Sequence, residues 1–598
     1  MTDPRTTDDD RKVMYVVIAG LVVGCSVLVV LLALRTGTSA STPAAPGVAL
    51  GPSLDYPEDT RDPFGSHFTD VASSSGLDFI QRSGAQGELL LPETMGSGVA
   101  LGDLDSDGDS DLLLLSVGGL PGLFRNDTQP GGQIRFTDVT SGTPLEAIAG
   151  STTAAFADVN ADGLLDLVIG TVDADHLLLN RGDLKFEDVA QLGDSWTSAM
   201  GFLDVDGDTD QDLLVGSYVE WSPQLDLEVD FTLDGIGRAY GPPTGFPGTD
   251  LELYVNDGSG NFTAEGALRG LAVRRSDRPV PVMKTLGLVF EDVDGNGALD
   301  ILVANDTTPN RLLLNDGSGV FEESAARLGF AYDIDGNSTG AMGVDVCRDP
   351  ATGLMICAIG NFANEPSSLF VQSPSGGFLD QSSVSGVGAP TRSALTFGTL
   401  LVDFDLDGRI DLLQINGHIE PRISLVQSGQ TYEQAAQMFK GGKALGRFEA
   451  VESGLLGDLA LEIAGRAAAT ADLDQDGDHD LVVSGIDRIP LVLRNDLDPD
   501  PDSFIRVTIK GMPGAPDGEG AIVEVLSATG ETLHLQRRDR TRSYLAQSDL
   551  VSLFPRSRPD QATSVRVTLL DGSQFTTMIP ESGVVVIHAD PDQPLNPE

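Results

Sequence analysis

Basic residues are scarce in this chain. It has 37 Lys and Arg against 90 Asp and Glu, a formal net charge of −53. So acidic a surface repels phosphates, which excludes nucleic acid as a partner, and it favours high solubility. Cysteine is scarcer still, with three in 598 residues, so a dense disulfide scaffold is excluded. There is no Walker loop, no cluster of zinc ligands and no dinucleotide fingerprint. Gly193-Asp-Ser195 has the letters of a serine-hydrolase motif, but no strand-to-helix elbow or paired histidine accompanies it. What remains is a globular composition, 40% hydrophobic, long enough for a large core and more than one domain.

The acids are not scattered. Asp103-Leu-Asp-Ser-Asp-Gly-Asp-Ser-Asp111 places carboxylates at Asp103, Asp105, Asp107, Asp109 and Asp111, with Gly108 at position six. Alternate side chains of a tight turn converge on one point, and hard oxygen ligands at this density suit Ca²⁺ rather than Zn²⁺. Apolar runs flank the loop, Val99 to Leu101 before it and Leu112 to Leu115 after it. Such runs read as buried strands, so the loop joins two strands and is not an EF-hand.

The loop recurs five times. One copy supplies Asp158, Asn160, Asp162, Leu164 and Asp166, and another Asp204, Asp206, Asp208, Asp210 and Asp212. The next are Asp292, Asp294, Asn296, Ala298 and Asp300, then Asp403, Asp405, Asp407, Arg409 and Asp411, then Asp472, Asp474, Asp476, Asp478 and Asp480. About six calcium sites are thereby expected, with position seven serving through its backbone carbonyl where its side chain is not an acid. The copy at Asp204 to Asp212 is the doubtful one, because Thr209 stands where Gly belongs and a β-branched residue resists positive φ.

A seventh copy is broken. Aligning Gly343 with Gly287 puts Arg348, Pro350, Thr352 and Ile356 at ligand positions, with Cys347 and Cys357 just before and after the loop. A disulfide there would replace calcium as the staple of the hairpin, closing roughly ten residues for about 2–3 kcal/mol. It would also fit an oxidising compartment. The alternative is two buried free thiols.

Around each loop the pattern is strand, loop, strand, a third strand such as Leu-Leu-Leu-Asn180, and a fourth starting at Phe136, Phe186, Phe262, Phe321, Phe378 or Phe448. No fourth strand follows the seventh loop, but one stands at Phe68, ahead of the first. Four strands per unit in seven units predict an all-β, seven-bladed β-propeller over 67–497, its ends zipped together by the Phe68 strand. Residues 503–590 alternate like the strands of a small C-terminal β domain, and 591–598 form a tail. Arg537, Arg538, Arg540 and Arg542 are the one basic cluster, expected to pair with the acidic surface of the ring.

At the other end, 1–13 is a polar, partly basic tail. Met14 to Leu34 is an unbroken apolar run, long enough for one transmembrane helix. The basic residues mostly precede it, so the N-terminus is expected in the cytoplasm and the body in the periplasm or outside the cell. A cleaved signal peptide is one alternative. Lipidation at Cys25, within the lipobox-like Val22-Val-Gly-Cys25, is another. Residues 35–66 are small, polar and Pro-rich, a flexible stalk.

The repeats resemble the FG-GAP (VCBS) repeats of the integrin α-like propeller. The run from His67-Phe-Thr-Asp-Val71 to Asp496, with Asn305-Asp306 and Asn416-Gly-His418, is similar to bacterial relatives of the cartilage acidic protein family. Ser503-Phe-Ile-Arg-Val507, Gly520-Ala521, Ser543-Tyr-Leu-Ala-Gln-Ser548 and Val565 to Gly572 resemble the ASPIC/UnbV domain that follows the propeller in that family. The resemblance implies a calcium-bearing propeller plus a small β domain and supplies no ligand.

If the acidic loops share one face of the ring, the connections between second and third strands share the other. The longest of these, 218–250, carries Trp221, Tyr240 and Phe246, and long loops in compact repeats carry function. Trp221, Asn305, Asp306, Asn361, His418 and Arg488 are the candidate ligand residues there, for a protein or glycan partner. The alternative for each is a polar cap on a buried strand end. Adhesion or recognition is the expected function. An extracytoplasmic enzyme with carbohydrate as the candidate substrate class, using His418, Glu420 and Asp306, is the second reading. Arg181-Gly-Asp183 occupies an ordinary turn between strands.

Overall fold

A computed structural model describes residues 64–275, 278–497, 503–512, 515–556 and 561–588. The expected tail, anchor and stalk, and with them Cys25, lie outside these. Among the described residues no helix is long and apolar enough to cross a membrane.

The chain is all-β with a few short helical turns. Sheet 1 is Val99–Gly102, Asp111–Leu114, Gly122–Asn126 and Phe136–Asp138, each antiparallel to the next. Sheets 2 to 6 repeat that order from first strands Ser151–Ala157, Thr197–Leu203, Thr285–Glu291, Ala341–Arg348 and Thr396–Val402. Sheet 7 takes Gly465–Ala471, Asp480–Gly485 and Leu491–Asn495 from the end of the repeats and its outer strand, Phe68–Asp70, from their beginning. Phe68 pairs with Asn495 and Asp70 with Leu493. Each first strand packs on those of the two neighbouring sheets, and the first strand of sheet 7 packs on that of sheet 1. This closed ring of four-stranded sheets is a β-propeller.

First strands lie innermost and, apart from the end of that of sheet 5, are buried along their whole length. Fourth strands begin at a Phe that is buried in every sheet but the third and are mostly half-buried or exposed beyond it. The innermost strands are accordingly rich in small residues, as in Gly465-Arg-Ala-Ala-Ala-Thr-Ala471, because the ring narrows toward its axis.

A side-chain latch joins the sheets. The Asn closing each third strand donates from Nδ2 to the carbonyl at loop position two of the preceding sheet. Asn180 reaches Leu104 O at 2.8 Å, Asn256 reaches Val159 O at 2.9 Å and Asn315 reaches Val205 O at 2.8 Å. Gln372 does the same to Val293 O and Asn495 to Phe404 O. Asn126, on Leu473 O at 3.0 Å, closes the circle between sheets 7 and 1. Sheet 6 has Gly441 at this place. Asn315 is 1% exposed, and its Oδ1 also accepts from Gly317 and Gly319 N–H. Asn315→Ala therefore orphans buried backbone groups on two sheets and should cost about 2–3 kcal/mol in urea unfolding.

The C-terminal region forms two further sheets. One holds Phe504–Lys510 between Ser552–Pro555 and Val584–His588; the other runs Thr532–Arg537, Ile522–Ser527, Ala562–Thr568, Gln574–Met578. Their facing apolar residues, among them Ile505, Val507, Val523, Val565 and Val585, make a core of their own.

Candidate functional site

The six acidic loops fold alike. Position one accepts two backbone N–H bonds: Asp103 takes them from Asp107 and Gly108, both at 3.0 Å, and Asp158, Asp292 and Asp403 repeat this. Position nine is a buried latch. Asp111 accepts Leu104 N–H at 3.1 Å and Asn126 N–H at 2.9 Å, and Asp166, Asp212, Asp300, Asp411 and Asp480 hold the same two places.

The bend uses two left-handed residues, at positions four and six. Position four is Ser106, Ala161, Leu406 or Gln475 at φ between 50° and 64° in four of the loops, where the Gly at position six is the only one of the pair visible from sequence, and Gly295 at φ 77° in the fourth. In the third loop the glycine has moved to position four as Gly207, and Thr209 takes φ 75° at position six. The bend survives at a cost of about 1–2 kcal/mol for that residue.

These loops can hold a hard divalent cation. Three carboxylates each contribute an oxygen within 4.8 Å of the others at Asp103/105/107, Asp204/206/212, Asp292/294/300, Asp403/405/411 and Asp472/474/480. Asp158 to Asp166 forms no such trio, since Asn160 and Leu164 replace acids there. Buried carboxylate oxygens of Asp109, Asp206, Asp405, Asp472, Asp474 and Asp478 have no hydrogen-bond partner. Burial and mutual repulsion push the Asp103 carboxyl up to about 6 and Asp478 to about 10. A cation with oxygen-only ligands is what this donor set lacks.

The broken loop differs from its expected form. Its first strand runs on to Arg348, which pairs directly with Met355, so the turn is two residues shorter than in the other sheets. Arg348 swings out to Glu291 of sheet 4, at 3.2 Å. The expected disulfide is not formed: Cys347 and Cys357 are free. Cys357 stands opposite Val346, and Cys347 opposite Ile356. A one-residue offset sends the two thiols to opposite faces of the sheet, Cys357 into the core shared with sheet 4 and Cys347 toward that shared with sheet 6. The disulfide's support for an oxidising compartment falls with it. Melting temperature should be the same with and without reductant, and both thiols should react once the protein is denatured.

On the opposite face the long connection folds over the axis rather than leaving a mouth. Pro223–Val229 is a helix capped by Ser222. Trp221 Nε1 and Leu91 N–H both donate to Asp226, and Tyr240 donates to Glu93. The short helix Pro92–Met95 is buried beneath. The ligand candidates are distributed among these braces. Asn305 accepts Lys284 N–H and donates to Pro309 O; Asn361 donates to Pro366 O and Ser368 Oγ; both are fully buried. Asp306 accepts the Tyr218 hydroxyl at 2.5 Å, and burial lifts its carboxyl to about 6. His418 Nδ1 accepts Glu420 N–H, and burial drops its pKa to about 4, leaving it neutral. Glu420 holds Arg422, and Arg488 bonds the neighbouring carbonyl of Ile489. Most of these partners are close in sequence, while Asp306 reaches Tyr218 on the connection from the preceding sheet. The six are spread over the connections of sheets 3 to 7, and of the acid–base candidates His418 meets Glu420 at that residue's backbone N–H, not at its carboxylate.

Sequence reasoning missed what fills the axis. Segment 538–549 leaves the C-terminal domain and enters the ring. Ala546–Gln547 pairs in parallel with Val99–Ala100, Ser543 exchanges two backbone bonds with Val344, Gln547 donates to Met200 O, and Asp549 N–H to Thr470 O. Tyr544 packs on Phe397 and donates to Met95 O at 2.9 Å, so this plug meets the cap from the other face. Beside it Arg466, fully buried, donates to the carbonyls of Thr94, Gly417, Gly465 and His418, with its guanidinium 4.1 Å above the Phe397 ring. Gly98 and Gly201 make room for the plug: a Cβ would lie 2.3 Å from Leu545 O at the first and 2.2 Å from Thr541 Oγ1 at the second. The basic cluster anchors it, with Arg537 on Glu291 and Arg542 on Asp345 of the ring and Arg540 on Asp517 within the domain. The domain lies over the acidic loops of sheets 1, 6 and 7, where Asp549 accepts Ser110 Oγ at 2.7 Å and Arg506 pairs with Asp472.

Comparison with known proteins agrees with this architecture. A family model for FG-GAP-like repeats matches residues 103–169 and 158–215. Cartilage acidic protein 1 of Xenopus tropicalis is 28% identical over 306 residues, 50% of this chain and 43% of that protein. The Mus musculus protein of the same name is 25% identical over 484 residues, 71% of each. The chain thus spans under half of the frog protein and about seven-tenths of the mouse one. Among solved structures, an Agrocybe aegerita lectin that recognises non-reducing terminal N-acetylglucosamine aligns with 67% of this chain and 95% of its own, at 16% identity and a TM-score of 0.39. The chain carries FG-GAP-like repeats on a β-propeller and is a relative of cartilage acidic protein 1.

Proposed function

We propose that the chain is a seven-bladed, calcium-stabilised propeller, held at a membrane by residues 14–34 with its body exported, and that it recognises a protein or glycan partner. The observation that carries the calcium reading is the set of buried carboxylate oxygens left without partners in the acidic loops, most of all at Asp472, Asp474 and Asp478. Each loop of three to five acids repels itself, and calcium held there turns that repulsion into a folded hairpin. Metal would act structurally, through Asp103, Asp105, Asp107 and Asp109 in the first blade and their counterparts elsewhere.

Recognition is supported by the architecture. Both ends of the axis are filled by the chain itself, so the free surface is the outer rim and the cap built from 218–250. That cap presents half-buried Trp221 and Tyr240 with Glu93, Arg238 and Arg422 around them. Aromatic faces beside fixed polar groups suit a sugar or a peptide side chain. The test is a binding screen of the exported body against glycan and protein libraries in millimolar calcium. Binding lost on Trp221→Ala or Tyr240→Ala, with folding intact, supports recognition at the cap. Binding unaffected by either places recognition elsewhere. Cell fractionation before and after deletion of residues 14–34 tests the anchor.

A further inference from the structure

Loop 403–411 differs from its siblings in bringing its own positive charge. Position seven, an aspartate in the first, third and seventh blades, is Arg409 here, only 8% exposed. Its guanidinium pairs with Asp407, and its Nε donates to Gly441 O at 2.8 Å. On the adjacent third strand, Lys440 Nζ lies 2.9 Å from Asp405 Oδ2 and 3.1 Å from Asp407 Oδ2. The equivalent residues in blades two, three and four are Leu179, Val255 and Leu314. In blades one and seven they are Arg125 and Arg494, which pair with Asp127 and Asp496, outside the loop.

Glycine at 441 belongs to the same arrangement. A Cβ there would lie 2.5 Å from Ile410 O and 3.0 Å from Arg409 Cβ. The arginine-bearing turn occupies the space where the other blades keep their latch amide, so Arg409 and Gly441 are one structural change. Two carboxylates of this loop, Asp405 and Asp407, pair with two cations, buried Arg409 and part-buried Lys440. The first loop, by contrast, has five carboxylates and no basic residue of its own, and Asp206 and Asp472 in the third and seventh blades each pair with a single arginine.

We propose that loop 403–411 is not a metal site: Lys440 and Arg409 are its resident cations, and calcium binds only at sibling loops. This rests on the calcium reading above. An ammonium shared between Asp405 and Asp407 engages two of the oxygens a metal would need and repels a second cation at close range. The acidic trio itself is intact, with Asp403, Asp405 and Asp411 oxygens within 4.8 Å and Asp405 Oδ1 buried without a partner. Removing the lysine therefore opens a site rather than merely destroying a contact.

The experiment counts calcium bound per chain, by equilibrium dialysis and elemental analysis of the full chain and its variants. Asp105→Asn, in the first loop, should lower the count by one, whereas Asp405→Asn should leave it unchanged. Lys440→Met should raise the count by one, and Lys440→Arg should not. A fall of one on Asp405→Asn overturns the proposal, and it decides the matter even if Lys440→Met fails to fold. A wild-type chain that binds no calcium, with Asp105→Asn silent, overturns the calcium reading itself and this proposal with it.

Discussion

Replacing Tyr544 by alanine should destabilise the whole propeller by about 3–5 kcal/mol, although the residue belongs to the C-terminal domain. Its ring is 1% exposed, packed on Phe397 of the sixth sheet, and its hydroxyl reaches the carbonyl of Met95 on the far side of the axis. No other part of the ring can fill that space, because Gly98 and Gly201 have been left bare to admit the plug. Tyr544→Phe keeps the ring and loses only the hydrogen bond, so it should cost about 1 kcal/mol. Urea unfolding followed separately by a propeller probe, Trp196, should show the alanine variant shifting the ring's own transition. A ring transition left in place would mean that the plug is an ornament on a self-sufficient propeller.

Stripped of metal, the protein should lose stability as pH rises from about 4 to about 8, the reverse of ordinary acid denaturation. The position-nine aspartates set the sign. Burial raises Asp111 from 3.8 to about 8, and Asp166, Asp212 and Asp300 to about 7. Through that window the native state keeps protons that the unfolded chain has already released, so each rise in pH favours unfolding. At about 1.4 kcal/mol per pH unit for each such group, several groups together amount to many kcal/mol, softened by relaxation of the loops. Bound calcium holds the carboxylates ionised and inverts the slope, giving most stability near pH 8 and loss on acidification. Urea midpoints at pH 5 and pH 8, with EDTA and with calcium, check both signs. Parallel slopes in the two conditions would contradict the assignment.

Much of this molecule was legible in the sequence because its repeats are written in chemistry that tolerates little substitution. The acidic loops, the strands around them and the closure by Phe68 all follow from patterns of two kinds, alternating acids and short apolar runs. The register of a single hairpin was not legible: Cys347 and Cys357 stand just before and just after the broken turn in sequence, yet Cys347 pairs with Ile356, the register that Glu291 and Asp300 also take, so the two thiols fall on opposite faces. Position four of the loops was hidden for another reason, since Ser106, Ala161, Leu406 and Gln475 share no side-chain feature that marks a left-handed residue.

The polar residues of the second face illustrate a different limit. Asn305, Asn361 and His418 were conspicuous as chemistry-bearing side chains at strand ends, but only coordinates show that their amides and ring nitrogen are committed to backbone groups. The latch asparagines had a readable signal in the repeated Leu-Leu-Leu-Asn, and the reason for it is the carbonyl of the neighbouring loop. The plug had none: Ser543-Tyr-Leu-Ala-Gln-Ser548 reads as a loop of a small domain, and its destination inside the ring depends on long-range packing.

The central claim is that the acidic loops are metal sites that hold the ring together. The most direct measurement is a thermal melt of residues 53–598 in calcium, in EDTA, and in magnesium at equal concentration. At free calcium near a hundred times Kd, each site adds about 2.7 kcal/mol. EDTA should therefore lower the melting temperature by roughly 10 °C or more, with recovery on calcium but not on magnesium, whose stricter octahedral shell fits these loops poorly. Equal melting in all three, with elemental analysis showing the EDTA-treated protein empty, would contradict it.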